Sequence, residues 1–425
     1  LQSDGPESLR QFSNANFAPA ADRAPSRSSR RALDATAFFL ADVADGLGPF
    51  LVIDLKSRRG WSASEAGLAM AALLIGTVLS QSFTGAWIDR TYRKTRAISV
   101  AALVIAATSL GLYFAKSMAV VLTLQALTGV MVTVFPPAIA AISLGMVGRR
   151  RLPARAGRNE ACFHAGNVTA AGLAAVANHW WGSIGIFCGV ATMAVASALS
   201  AMLIQEGDID HELARGADSA SGGATVVAWQ SILRDRRILW FVLSVVLFHF
   251  ANAAMLPLVG QKAAQTNPRV AQTMMALSII VAQLTMVAVA IVAGRLAVRG
   301  RRRVFLVALL VLPIRGLLYT LTDSPAWLIS IQVLDGIGAG IFGVVALLMM
   351  ADLTRGTGRF NFAQGLTATA IGLGAAGSQF LTGVVADHYG YNAGFVFLSA
   401  VAVLAFVVFY KAVPDTIERS APESA

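Results

Sequence analysis

Gly85-Ala-Trp-Ile-Asp89-Arg90-Thr-Tyr-Arg93-Lys94 stands between two apolar runs, 65–88 and 97–115. An altered copy, Gly294-Arg-Leu-Ala-Val-Arg299-Gly-Arg-Arg302-Arg303, stands between 271–294 and 304–322. The pair is not isolated. Outward from it, Pro49 recurs as Pro257, Gln125 as Gln332, and Ala177-Asn-His179 with Gly185 as Ala386-Asp-His388 with Gly394. The offsets are 209 for the quoted pair, then 208, 207 and 209 residues. A period that steady over most of the chain indicates two copies of one structural unit.

The copies are written in membrane language. Of 425 residues 56% are hydrophobic and only 13% charged, with a mean hydropathy of +0.65, and a soluble core cannot hide that much apolar surface. Crossing a hydrocarbon core takes about 20 apolar residues per helix. Twelve runs qualify: 32–54, 65–88, 97–115, 118–147, 160–178, 183–204, 238–259, 271–294, 304–322, 326–350, 361–385 and 393–412. The expected fold is an all-α membrane protein of twelve transmembrane helices in two pseudo-symmetric six-helix bundles, 32–204 and 238–412. Residues 1–31, rich in Ser, Ala, Arg and Pro, read as a disordered cytoplasmic tail without a signal peptide. Residues 205–237, with Ser219-Ala-Ser-Gly-Gly, read as a cytoplasmic linker, and 413–425 as a second cytoplasmic tail.

The net charge of +11 would suggest nucleic acid in a soluble protein, but its distribution explains it otherwise. With the N-terminus inside, the cytoplasmic tails and loops hold 27 Lys and Arg residues, against 6 outside and Arg315 within a span. That bias predicts both termini in the cytoplasm. The basic balance then reports topology and contact with anionic membrane lipids, and no nucleic-acid role is needed. The two cysteines, Cys162 and Cys188, fall in apolar runs where a packed small hydrophobe is the ordinary role.

The stretch 85–94 resembles the G-x-L-A-D-R-x-G-R-K loop of the major facilitator superfamily (MFS), and a parallel duplication of six spans fits that class of secondary transporter. In the family this loop latches the two halves together in the outward-facing state. The resemblance therefore assigns gating roles to Gly85, Asp89, Arg90, Arg93 and Lys94, with Asp89 at the N-terminal end of span 11, where the helix dipole favours a carboxylate. Tyr92 replaces the second motif glycine, and Val298 replaces the acid in the second copy, so the latch is expected to be one-sided. Drug-proton antiporters of the superfamily often carry an arginine early in span 4 and a Gly-Pro pair in span 5. Here Gln125 takes the first position, and span 5 reads His164-Ala-Gly-Asn-Val-Thr-Ala-Ala-Gly172 without proline. Gly338-Ala-Gly340-Ile-Phe-Gly343 fits a dinucleotide fingerprint by letter only, because it lies inside an apolar run where small residues serve close helix packing.

Ionisable groups inside spans are costly enough to count as functional candidates. By resemblance, spans 1, 4, 7 and 10 line a central cavity. Span 1 carries Asp42 and Asp45 on one helical face, and span 7 carries His249 and Asn252 at the same spacing and a similar depth. With Gln125, Asn167 and Asp335 these are the candidate substrate and proton-coupling residues, a carboxylate carrying the proton and a histidine exchanging it. Pro49 and Pro257 follow, each permitting a kink. Arg315 and Asp335 lie within reach of each other and read as a structural ion pair. Glu160, His164 and Asn167 form a polar cluster on span 5, with Glu160 expected to pair with Arg155 or Arg158.

No spacing matches a nucleophile, a phosphate loop or a metal site, so neither an enzyme nor a cofactor is expected. The reading is a transporter of a small solute by alternating access, proton-coupled, with efflux favoured, in a bacterial inner membrane. The alternatives are a proton-coupled importer of a nutrient, metal chelate or anion, and a non-transporting membrane sensor or assembly partner.

Overall fold

The computed structural model describes residues 25–45, 47–217, 226–266 and 268–416, without the side chains of 42, 44, 45, 48, 49, 63, 266, 268–270 and 272. Every regular element among them is helical. Among the described residues nine helical stretches are long and apolar enough to cross a membrane. One of these, Met118–Trp181, holds two spans, since its backbone turns at Gly148, whose φ of 71° only glycine adopts freely. Spans 1 and 9 complete the set of twelve, the first broken into Arg27–Asp45 and Gly48–Arg59, the second (Arg301–Leu318) opened by three arginines.

The duplication recurs in the backbone. Gly148 between spans 4 and 5 has its counterpart 208 residues on in Gly356 between spans 10 and 11, and Gly182 between spans 5 and 6 in Gly390 between spans 11 and 12. All four have positive φ. Span 7 breaks as span 1 does, into Arg236–Ala253 and Met255–Thr266, so each break lies just before Pro49 or Pro257. The proline ring clashes with the carbonyl four residues back and removes a hydrogen bond, which divides the helix there.

Two span starts differ markedly from those read by hydropathy. Span 1 starts at Arg27, where the Ser26 hydroxyl accepts from the Ser29 amide at 3.1 Å and caps the helix; residues 1–24 of the expected tail lie outside the described residues. Span 5 starts just after Gly148, eleven residues before the expected 160. Its first turns are basic, which ends an apolar run without ending a helix. The expected linker contains short helices, Glu206–Asp208, His211–Ala214 and Trp229–Arg234, while Ser219-Ala-Ser-Gly-Gly lies outside the described residues. The expected C-terminal tail is described as far as Thr416, whose hydroxyl donates to Asp352 at 2.8 Å.

Lipid offers helices no hydrophobic reason to associate, so close packing of small residues has to hold them. The halves meet along span 5 against span 8 and span 2 (Ala63–Arg90) against span 11 (Phe360–Tyr389). At the end where the arginines concentrate, a β-carbon on Gly157 would fall 2.5 Å from the Ala290 carbonyl, and one on Gly294 2.5 Å from that of Pro153. On the other seam, Gly85 lies against the Asn361 carbonyl and Gly365 against that of Gln81. Gly340 of the rejected fingerprint and the preceding Gly336 pack in the same manner on Val289 and Thr285 of span 8.

Candidate functional site

The quoted motif joins the two halves at the basic end. Asp89, buried at the end of span 2, accepts from the Asn361 amide at 3.0 Å and from its side-chain Nδ2 at 2.8 Å through Oδ1. Its Oδ2 accepts from the Phe362 amide at 3.0 Å. Those amides belong to the first turn of span 11, where free N–H groups and the helix dipole favour an anion. Lys94 is buried, with Nζ donating to the Thr91 carbonyl at 2.6 Å, while Arg90 and Arg93 are exposed. In the second copy Gly294 keeps the packing role, but Val298 is 57% exposed and latches nothing.

The segment after span 6 reinforces the closure from below. The Asp210 amide donates to the Gly145 carbonyl at 3.1 Å in the first half, while Arg215 and Gly216 accept from Phe360 at 3.2 Å and Gly356 at 2.7 Å in the second. His211 stacks edge-on against Tyr92, with ring centroids 5.4 Å apart, and burial beside Lys94 lowers its pKa. Asp89→Asn is expected to slow turnover about tenfold, a ~1.4 kcal/mol change, by exchanging a charged acceptor for a weaker one. Val298→Asp is expected to do less. Wild-type turnover of Asp89→Asn in reconstituted vesicles would show that the latch no longer governs the cycle.

Above the latch lies a cavity of about 270 Å³ between the halves, walled by spans 1, 4, 5, 10 and 11. Its surface is mostly apolar, with Phe135, Phe163 and Phe342 prominent, and its polar groups are Asn159, Glu160, Gln364 and Thr367. Glu160 points across the seam at Gly343 of span 10, where a β-carbon would meet its Oε2 at 2.5 Å. His164, one turn on, has Nε2 3.7 Å from that carboxylate, and its Nδ1 shares a 2.6 Å hydrogen bond with Gln283 of span 8. Both side chains therefore touch the opposite half. Asn167 is half-buried and, seven residues beyond Glu160, shares its helical face.

Several expected placements change. Glu160 does not pair with the neighbouring arginines, because Arg155 and Arg158 both bind Asp34 of span 1, at 2.5 and 2.6 Å. Gln125 faces span 2 rather than the cavity, its amide 3.5 Å from the Ala69 carbonyl. Its repeat partner Gln332 is similarly occupied, donating to the Tyr319 hydroxyl at 2.8 Å. His249 stands behind the cavity wall, edge-on to Phe342 at 4.5 Å, with Nδ1 3.3 Å from the Val245 carbonyl. Asn252 and Asp335 are drawn away from the cavity by Arg315, which is bonded to Asp335 and donates to Asn252 Oδ1 at 2.8 Å. Asp42 and Asp45 occupy the last turn of Arg27–Asp45, next to the break in span 1, with side chains outside the described residues. The cavity residues Asn159, Gln364 and Thr367 were not singled out by sequence; Gln364 and Thr367 were visible only as polar interruptions on one face of span 11.

A family model described as Major Facilitator Superfamily matches residues 34–299 and 243–425. Two proteins of Mycobacterium tuberculosis, from strains CDC 1551 and H37Rv and each named an uncharacterized MFS-type transporter, are 42% identical over 396 residues, covering 91% of this chain and 94% of theirs. Among solved structures, the transporter FucP in its outward conformation superposes with a TM-score of 0.70 at 14% identity, over 90% of this chain and 98% of FucP. The proton:xylose symporter XylE gives 0.69 at 14% identity, over 92% and 96%. The human organic anion transporter MFSD10 gives 0.64 at 17% identity, over 91% and 100%. The chain belongs to the major facilitator superfamily. It is an integral membrane transporter and not an enzyme, with the twelve-helix fold of that family.

Proposed function

We propose that the chain is a proton-coupled exporter of small, largely apolar organic solutes, neutral or cationic, in the bacterial inner membrane, with the basic end and both termini in the cytoplasm. The observation that carries this reading is Glu160 in the cavity, set against Gly343 of one span across the seam and beside His164, itself tied to Gln283 of another. Rocking the halves apart breaks both contacts together, so the carboxylate meets a different environment in each state and exchanges a proton with whichever side is open. The lining argues for the cargo. A sugar pressed against Phe135, Ile139, Phe163 and Phe342 would leave several hydroxyls unpaired, at a cost of about 1–3 kcal/mol each. An apolar solute loses nothing there, and a cationic one can take the place of the proton on Glu160.

Vesicles carrying the purified protein, loaded with ethidium as a lipophilic cation, test the reading. A pH gradient is expected to drive ethidium movement with counter-movement of protons. Glu160→Gln is expected to abolish gradient-driven flux while keeping energy-independent exchange, since the amide imitates the protonated acid. Asp42→Asn and Asp45→Asn run alongside, because a carboxylate of span 1 is the other candidate carrier. Full gradient-driven flux in all three variants would remove proton coupling from these residues, and proton entry in the same direction as cargo would favour uptake.

A further inference from the structure

A second cavity, of about 470 Å³, opens at the basic end between the start of span 1 and the start of span 5, separate from the central cavity. Its walls carry Arg27, Arg30 and Arg31 from span 1 and Arg151, Arg155 and Arg158 from span 5, with Asp34 the one acid. The spacing explains the convergence. Residues 27, 30, 31 and 34 make one stripe on the first helix, 151, 155 and 158 one stripe on the second, and the two stripes face each other. We propose that this pocket binds clustered phosphate groups, supplied by the headgroup of an anionic phospholipid or by a soluble polyphosphate.

Three observations support the assignment. Asp34 is already engaged, at 2.5 Å by Arg155 and 2.6 Å by Arg158, so it does not neutralise the other four. Arg27, Arg30, Arg31 and Arg151 are exposed, and their side chains make no hydrogen bond or ion pair among the described residues. Six guanidinium groups around one concave space repel one another, and an outside anion removes that repulsion while filling their planar forks, which match phosphate oxygens in pairs. The topology rule asks only for basic residues near the ends of spans and does not ask them to converge on a cavity. The base of the pocket is also held in place. Arg155 is buried, its Nε donating to Asn159 Oδ1 at 2.7 Å, and Asn159 in turn donates to Ser143 at 2.7 Å. Since Asn159 lines the central cavity, the phosphate pocket lies one hydrogen bond from the transport site.

The test is a thermal-stability titration of the detergent-purified full chain with cardiolipin, inorganic pyrophosphate or zwitterionic phosphatidylcholine. A ligand that binds the folded state raises its melting temperature. Cardiolipin, pyrophosphate or both are expected to raise it and phosphatidylcholine to leave it unchanged. A rise with cardiolipin alone identifies the source as lipid, and a rise with pyrophosphate alone as soluble. The triple variant Arg27→Gln, Arg30→Gln, Arg31→Gln is expected to weaken that binding about a hundredfold, at roughly one surface charge contact per arginine, and Arg151→Gln to weaken it less. The pair Arg299→Gln, Arg303→Gln, which removes charge elsewhere at the same end, is expected to bind as wild type. No rise with either phosphate probe overturns the proposal, as does an equal loss in the control pair, which would mean unspecific attraction to a basic surface.

Discussion

Arg315→Met is expected to lower the stability of the folded transporter by about 3–5 kcal/mol, the usual cost of leaving one member of a buried ion pair without its partner. Arg315 is 1% exposed and Asp335 8%, and among the described residues nothing charged other than Asp335 is bonded to the guanidinium. The loss should spread through the second bundle, because Arg315 joins span 9 to span 10 through Asp335 and to span 7 through Asn252. The double variant Arg315→Met, Asp335→Leu is expected to recover most of the loss, since it removes both charges and fills similar volume. Thermal unfolding of the four proteins in one detergent decides the matter. If the single variant melts with the wild type, the pair contributes nothing to stability and Asp335 returns to the list of transport residues.

How far the chain could be read in advance depends on what each feature requires. Hydropathy and the repeat located the spans, because burying backbone in lipid leaves helices as the spanning solution for so apolar a chain. The motif placed Asp89 because its chemistry is local, a carboxylate at a span end answering free amides at the start of another helix. The cavity was less legible. Which polar side chain faces it depends on the rotation of each helix about its own axis, and a shift of one residue turns a side chain by about 100°. Gln125 and His249 lie on the expected spans, yet Gln125 is turned to Ala69 and His249 stands behind Phe342. The expected pairing of Glu160 with Arg155 or Arg158 rests on an apolar run that begins at 160; the helix extends back to Gly148, and those arginines reach Asp34 instead. Neither Asp34 nor the cross-seam contact of Glu160 with Gly343 follows from spacing along one chain segment, since each joins residues more than 120 positions apart.

Gly157→Leu is expected to stop transport in every mode, exchange included. The helices of spans 5 and 8 approach so closely at the basic end that even a β-carbon on Gly157 would lie 2.5 Å from the Ala290 carbonyl and 3.3 Å from Gly294 Cα. Backbone on both sides cannot yield, so a leucine has to push the two halves apart, and the closed arrangement latched by Asp89 becomes inaccessible. A cycle that lacks one of its two end states carries nothing, which separates this variant from Asp89→Asn, where closure is weakened but still possible. The protein should still fold, because each half also holds a buried cluster of its own away from that crossing, one centred on spans 1, 3, 4 and 6 and one on the outer ends of spans 7, 9, 10 and 12. Cysteines placed at Gln81 and Leu366, on the other seam where Gln81 lies against Gly365, report the consequence. They are expected to cross-link in the wild type and to fail to do so when Gly157→Leu is present. Retained cross-linking together with retained exchange would show that the seam absorbs the side chain, and would place the closure of the basic end on span 2 and span 11 alone.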